Sequence, residues 1–328
     1  MPRIEYTSVD FPRSNPKVSP GTRWENFGWN DLIWAAITVG RGGWFDVIRF
    51  GTPSTYEILF RACLLKTAIQ ASSTARSFEW TGAYRNLDPS EKGAVSYFIG
   101  LTMCKLFAER FLDVPWLLHL DVYRSQLNPV LLRGRSRPDL VGQSLGGDWV
   151  VFESKGRTSG PTQDDKDKAK VQARRLTHVK GKQIAYGVAL FSYFYRDDLK
   201  VHWQDPKPDE DPEEPEEPFR LEAEINDFLK RYYRPILDFV GADRLRRHLE
   251  DHQPIPVAEA DFSLAIEPKV LRHLLVEDYA AVFHILADTD FTASPRAMAP
   301  EIPFKKDGIA IKAGDSWSQN VRQQDFFE

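Results

Sequence analysis

Arg137-Pro138-Asp139-Leu140-Val141-Gly142 is followed, after Gln143-Ser144-Leu145-Gly146-Gly147-Asp148, by Trp149-Val150-Val151-Phe152-Glu153-Ser154-Lys155. Two short apolar runs around a glycine-bearing turn segment read as paired strands. Successive strand residues point to opposite faces, so Glu153 and Lys155 share one face while Phe152 and Ser154 take the other. If the two runs form a simple hairpin centred on Gly146, Asp139 lies opposite Glu153. Two carboxylates and an ammonium would then share one patch of sheet.

Neighbouring carboxylates repel unless a cation lies between them. A hard divalent ion, Mg²⁺ or Mn²⁺, suits an oxygen-rich site of this kind. It would bridge a phosphate oxygen and a water, while Lys155 orients the water and offsets developing negative charge. The pattern therefore predicts metal-dependent phosphodiester hydrolysis. The plainer alternative is a surface cross-strand pair between Glu153 and Lys155, with Asp139 capping a turn.

Working outward, Asp88, Pro89 and Glu91 form an N-cap, a first-position proline and a capping box. They predict a helix over 88–111 that carries Val95, Ile99, Met103, Leu106 and Phe107. Strands are predicted over 116–123, 137–142 and 149–155. Thr162 caps a predicted helix over 163–177, and a buried strand follows over 184–194. The order is helix, three strands, helix, strand.

Pro138-Asp139 followed by Glu153-Ser154-Lys155, in this order of elements, resembles the PD-(D/E)XK nuclease superfamily. The resemblance spans residues 88–195. It implies an α/β fold with a restriction-endonuclease-like core, a mixed central sheet flanked by helices, over 88–203. It also implies that Asp139 and Glu153 bind the metal, that Ser154 contributes its backbone carbonyl and that Lys155 assists the water. Family members often add an acid from the preceding helix; Glu109 is the candidate, since Glu91 is used in the cap. Some use a glutamine on the helix after the lysine strand, and Gln172 matches, on the face of Ala169, Ala173 and Leu176. The implied activity is a Mg²⁺- or Mn²⁺-dependent DNA endonuclease, in restriction or anti-phage defence. A non-catalytic nucleic-acid-binding or sensing protein that keeps the fold is the alternative, as is a structure-specific or RNA-directed nuclease. Double-stranded DNA is the expected substrate, and cutting both strands would call for a homodimer. A partner protein or activator is a further expectation.

The flanks read as a mostly helical N-terminal region (1–87), an acidic Pro/Glu-rich linker (204–218) and a C-terminal α+β region (219–328). Helices are predicted from 54 or 55 to 71, over 219–240 and over 274–287, with a hairpin around Asp307-Gly308. The net charge of -4 is set by Asp205 to Glu217, where eight acids face one lysine; without them 42 basic and 39 acidic side chains remain. Between Leu131 and Gln183 twelve Lys or Arg face six acids. This belt holds Arg133, Arg135, Arg137, Arg157, Lys166, Lys168, Lys170, Arg174 and Arg175, and it points to a polyanionic partner. Lys168 also has Asp164 at i,i+4, the spacing of a solvated ion pair.

No apolar run is long enough for a membrane span, and no signal-peptide pattern opens the chain, so a cytoplasmic location is expected. Two cysteines are too few for a disulfide framework. No phosphate-binding P-loop or dinucleotide fingerprint is present. His248 and His252 have the i,i+4 spacing of zinc helices, but Pro254 and the order of the intervening acids favour a solvated helix end. The tryptophans near the N-terminus (Trp24, Trp29, Trp34, Trp44) would more commonly pack than stack on bases.

Overall fold

The computed structural model describes residues 1–12, 17–40, 52–72, 76–123, 137–205, 218–288 and 303–318. The chain begins with β1 (Arg3–Val9), β2 (Gly21–Asn26), α1 (Trp29–Thr38), α2 (Thr52–Ala68), β3 (Ile69–Ala71), β4 (Phe78–Trp80) and the single turn α3 (Gly82–Arg85). The long α4 (Pro89–Leu112) leads into β5 (Trp116–His119), β6 (Leu140–Gln143) and β7 (Trp149–Gly156). Next come α5 (Gln163–Arg174), β8 (Leu176–Val179), β9 (Lys182–Tyr195), β10 (Asp198–Gln204) and β11 (Phe219–Leu221). The C-terminal part holds α6 (Ile225–Val240), α7 (Ala242–Asp251), β12 (Ile255–Val257), β13 (Phe262–Ile266), α8 (Pro268–Leu275), α9 (Tyr279–Ala287) and β14 (Ile309–Ala313).

The architecture is α/β, with a mixed central sheet flanked by helices. Its order is β2-β1-β10-β9-β7-β6-β5. β5, β6 and β7 form an antiparallel meander, and α5 crosses over so that β9 lies parallel to β7. The predicted order of helix, three strands, helix and strand is present, with β8 added before β9.

Several elements depart from the sequence reading. β1 pairs parallel with β10, so residues 1–87 contribute to the central sheet as well as helices. The strand predicted over 116–123 ends at His119, and Leu120–Tyr123 is a 3-10 turn. The helix predicted over 163–177 stops at Arg174, because Leu176 and Val179 turn inward as β8 between β9 and β11. β11 likewise takes the start of the helix predicted from 219. The helix predicted over 274–287 is two: Glu277 takes a left-handed conformation, φ 56°, and Asp278 caps α9. A tight turn forms at Asp307-Gly308 as predicted, with the Lys305 N–H donating to the Ile309 carbonyl at 2.9 Å, but the strand after it, β14, takes β13 as its main partner. Residues 206–217 of the acidic stretch, and Trp44, lie outside the described residues.

α4 starts as its sequence dictates. Asp88 accepts from the N–H groups of Ser90 and Glu91 at 2.7 and 3.2 Å, and Glu91 returns a bond to the Asp88 N–H. Its middle lies directly on β7 because two glycines remove the side chains between them. A Cβ on Gly156 would sit 1.6 Å from the Ser96 carbonyl oxygen, and one on Gly100 would sit 2.8 Å from the Gly156 nitrogen. That contact fixes the strand that carries Glu153 and Lys155.

The C-terminal segment is tied into the same core by a buried polar network. Asp307 Oδ2 accepts from Tyr232 Oη at 2.6 Å and Trp34 Nε1 at 2.9 Å, and lies 3.9 Å from Lys105 Nζ. Lys105 also donates to the Pro115 carbonyl and the Tyr232 hydroxyl, and both charged groups are fully buried. Trp34 is thus a core residue, whereas Trp24 is 42% exposed beneath Arg3. Among the described residues, no helix is long and apolar enough to cross a membrane.

Candidate active site

β6 and β7 are joined by a tight turn in which Ser144 N–H donates to the Asp148 carbonyl at 2.8 Å and Gly147 takes φ 82°. Their register pairs Leu140 with Phe152 and Gln143 with Trp149. Continued by one residue, it sets Asp139 opposite Glu153, as a hairpin centred on Gly146 requires. Asp139 Oδ2 also accepts the Ser154 N–H at 2.9 Å. The first acid is therefore anchored to the strand that carries the second.

Glu153 and Lys155 point to the α5 side of the sheet, where Ala169, Ala189 and Phe191 pack together. The small alanines of α5 leave room there, and Gln172 fills part of it. Lys155 Nζ contacts Glu153 Oε1 as an ion pair and donates to Gln172 Oε1 at 3.4 Å. Gln172 Nε2 in turn donates to the Arg137 carbonyl at 2.7 Å, two residues before Asp139. Lys155, Gln172 and both acids thus form one constellation.

The electrostatics are those of a site short of positive charge. Glu153 is fully buried, with the Lys155 ammonium against its Oε1. Burial first, and Asp139 second, push its pKa up to about 8, against the pull of Lys155. Asp139 is also raised, by burial, although the Ser154 N–H and Lys155 oppose this. Two buried carboxylates that share one lysine are short of compensating charge, which fits a bound cation between them. Among the described residues no group of three His, Cys, Asp or Glu side chains could hold a metal. Mg²⁺ asks for less: one or two carboxylates, with waters and substrate phosphate completing its shell.

Glu109 does not join this constellation. The residues of α4 that face β7 are in the row Ser96, Gly100 and Cys104. Glu109, five residues past Cys104, is rotated by about 140° from that row and lies more than a turn further on. It is buried instead beside Lys105 and Lys305, and its carbonyl accepts from Lys306 at 2.9 Å. The nearby carboxylate missing from the sequence reading is Asp121, whose charge raises the Asp139 pKa and which ion-pairs with Arg137. No sequence signal marks it, because the 3-10 turn that presents it was predicted as strand. Cys104 adjoins the acids, but burial and their charges push its thiol up, so it is a packing group.

The basic belt is largely offset by acids. Arg157 pairs with Asp165 at 2.6 Å, Lys168 with Asp164 at 2.6 Å and Lys170 with Asp10 at 2.9 Å. Arg174 is half-buried at the end of α5. Arg175 is buried, its carbonyl accepting from the Phe219 N–H, which removes it from the exposed face. Arg133 and Arg135 lie outside the described residues. Away from this site, His248 is buried with its ring nitrogens against the Gln253 carbonyl and the Ile266 backbone, and His252 ends α7. The pair is therefore a structural helix end.

Compared with models of protein families, with curated proteins and with solved structures, the chain matches none of them.

Proposed function

We propose that the protein is a metal-dependent nuclease of the PD-(D/E)XK type, acting on DNA. The observation that carries this reading is the buried Glu153 carboxylate, held against Asp139 with one lysine, Lys155, between them and solvent. Asp139, Glu153 and the Ser154 backbone would hold a Mg²⁺ or Mn²⁺ ion. Such an ion lowers the pKa of a water and offsets charge on the phosphate in the transition state. Lys155, 38% exposed and held between Glu153 and Gln172, presents its ammonium to the attacking water and the developing oxyanion. Gln172 keeps that ammonium in place and ties it to the segment carrying Asp139. Arg137 and Arg157, both part-exposed, can exchange their acidic partners for phosphate oxygens, giving salt-sensitive binding with little base readout.

A role in restriction or anti-phage defence is an extension by analogy of fold. The test is a plasmid nicking and linearisation assay with Mg²⁺, Mn²⁺ or EDTA, beside Asp139→Ala and Lys155→Ala. Metal-dependent cutting by the wild type that both variants lack is the expected result. Cutting that survives in EDTA, or in either variant, would reject the assignment.

A further inference from the structure

A row of aromatic rings lies on the α4 side of the sheet, at the same strand ends that carry Asp139 and Lys155, while Glu153 and Lys155 face the α5 side. Tyr56 and Phe60 lie four apart on α2, hence on one helix face, and are 60% and 52% exposed. The Phe60 ring meets Phe98 of α4 edge-on at 5.5 Å, and Phe98 meets Tyr97 edge-on at 5.5 Å. Tyr97 is 38% exposed and lies within 29° of parallel to the His119 ring, with its hydroxyl 3.3 Å from Nε2. Two backbone contacts place this end of the row at the sheet end that carries the site. The Tyr97 nitrogen is 2.9 Å from where a Cβ of Gly156 would be, and Gly156 directly follows Lys155. Leu120, next to His119, donates its N–H to the Asp139 carbonyl at 2.9 Å.

Single exposed apolar side chains are ordinary on a soluble surface, but a connected row of rings at the sheet end that carries a charged site is not. A strand passing over that end would lie on the rings and then cross to the acids on the other face. The occupant of the row has to carry flat, stackable groups and also bring a phosphate to the acids. Nucleobases on a sugar-phosphate strand do both. Inside a duplex their faces are covered by their own neighbours; in an unpaired strand they are open to aromatic side chains. We propose, resting on the nuclease reading, that Phe60, Tyr97 and His119 form a stacking platform for unpaired bases, and that the strand crossing the acids is single-stranded there. Specificity would then lie in strand structure, with base sequence read weakly, since every base has a π-face.

The test is fluorescence anisotropy in EDTA with a labelled mixed-sequence DNA strand and with the same strand annealed to its complement. Wild-type protein is expected to bind the single strand more tightly than the duplex. Tyr97→Ala and Phe60→Ala should each weaken single-strand binding about tenfold, the scale of one lost base stack, and leave duplex binding unchanged. Tyr97→Phe should retain the wild-type affinity. Both alanine sites are partly exposed, and an unchanged melting temperature controls for folding. Equal binding of single strand by wild type and both alanine variants, or tighter binding of the duplex, overturns the platform. Cleavage run in parallel separates the two readings. If DNA is cut in an Asp139-dependent way while Tyr97→Ala and Phe60→Ala bind normally, only the platform falls. If nucleic acid is neither bound nor cut, both fall, and the row covers some other partner such as an apolar peptide.

Discussion

The backbone N–H of Ser154 donates to Asp139 Oδ2 at 2.9 Å, across the two strands and one residue from Glu153. This bond holds Asp139 in place against the buried Glu153 carboxylate, whose pKa the Asp139 charge raises. In the absence of a cation the arrangement costs stability, as preorganised sites commonly do.

Asp139→Asn follows directly. Asparagine keeps an oxygen to accept the Ser154 N–H but removes a buried charge and its repulsion on Glu153. In EDTA the melting temperature should rise, while metal-dependent cleavage should be lost. Thermal unfolding with and without Mn²⁺ checks both halves, because the wild type alone should gain stability from the ion. Equal losses of stability and activity would mark Asp139 as a structural turn residue.

Gln172 joins Lys155 to the Arg137 carbonyl at 3.4 and 2.7 Å, so it acts through the lysine. Gln172→Ala should lower kcat about 10- to 100-fold, the range for groups that orient a metal site's own ligands, with little change in melting temperature. Gln172→Glu offers the ammonium an acceptor but cannot donate to Arg137, and should recover part of the loss. An unchanged kcat for the alanine variant would make Gln172 a packing residue.

The parts of this site that were legible in the sequence are those set by local alternation. Asp139, Glu153 and Lys155 follow from a two-residue period and a glycine-centred turn, and the Asp88 cap follows from side chains three residues apart. Glu109 misled because helix phase relative to a distant strand is not a local property. What fixes that phase is the backbone contact of Gly100 and Gly156, visible only once α4 lies on β7. β1 and β10 were missed as partners for the same reason: parallel pairing between Glu5 and Lys200 leaves no mark in either segment alone. Asp121 and the Tyr97–His119 pair also depend on where β5 stops.

Lys105 and Asp307 are fully buried 3.9 Å apart, linking α4 to the segment before β14. Burial lowers the Lys105 pKa to about 8, with Asp307 acting against the fall. Removing one partner of a buried pair leaves the other charge uncompensated, a loss of about 3–5 kcal/mol. Asp307→Ala should therefore lower the urea midpoint markedly. Adding Lys105→Met to that variant should restore a good part of it, since the stranded charge is gone. A double variant no better than the single would place the cost in the lost Tyr232 and Trp34 bonds instead.

His202 supplies a pH dependence of stability. Its ring is buried on β10, with Nε2 lacking a hydrogen-bond partner, and burial, aided by the charge of Lys166, lowers its pKa to about 4. The unfolded chain takes up the proton near the usual 6.5, so the folded state binds fewer protons between the two values. The contribution is fully present above pH 6.5, shrinks as pH falls and is lost below about 4. Between pH 7.5 and 5 it should cost roughly 2 kcal/mol. His202→Phe removes the titration from a site already facing the Phe191 ring at 6.3 Å. Urea unfolding at the two pH values should show a larger drop for the wild type than for the variant, and that difference isolates His202 from carboxylates titrating in the same range. Parallel drops in the two proteins would mean that the ring accepts its proton without leaving the fold.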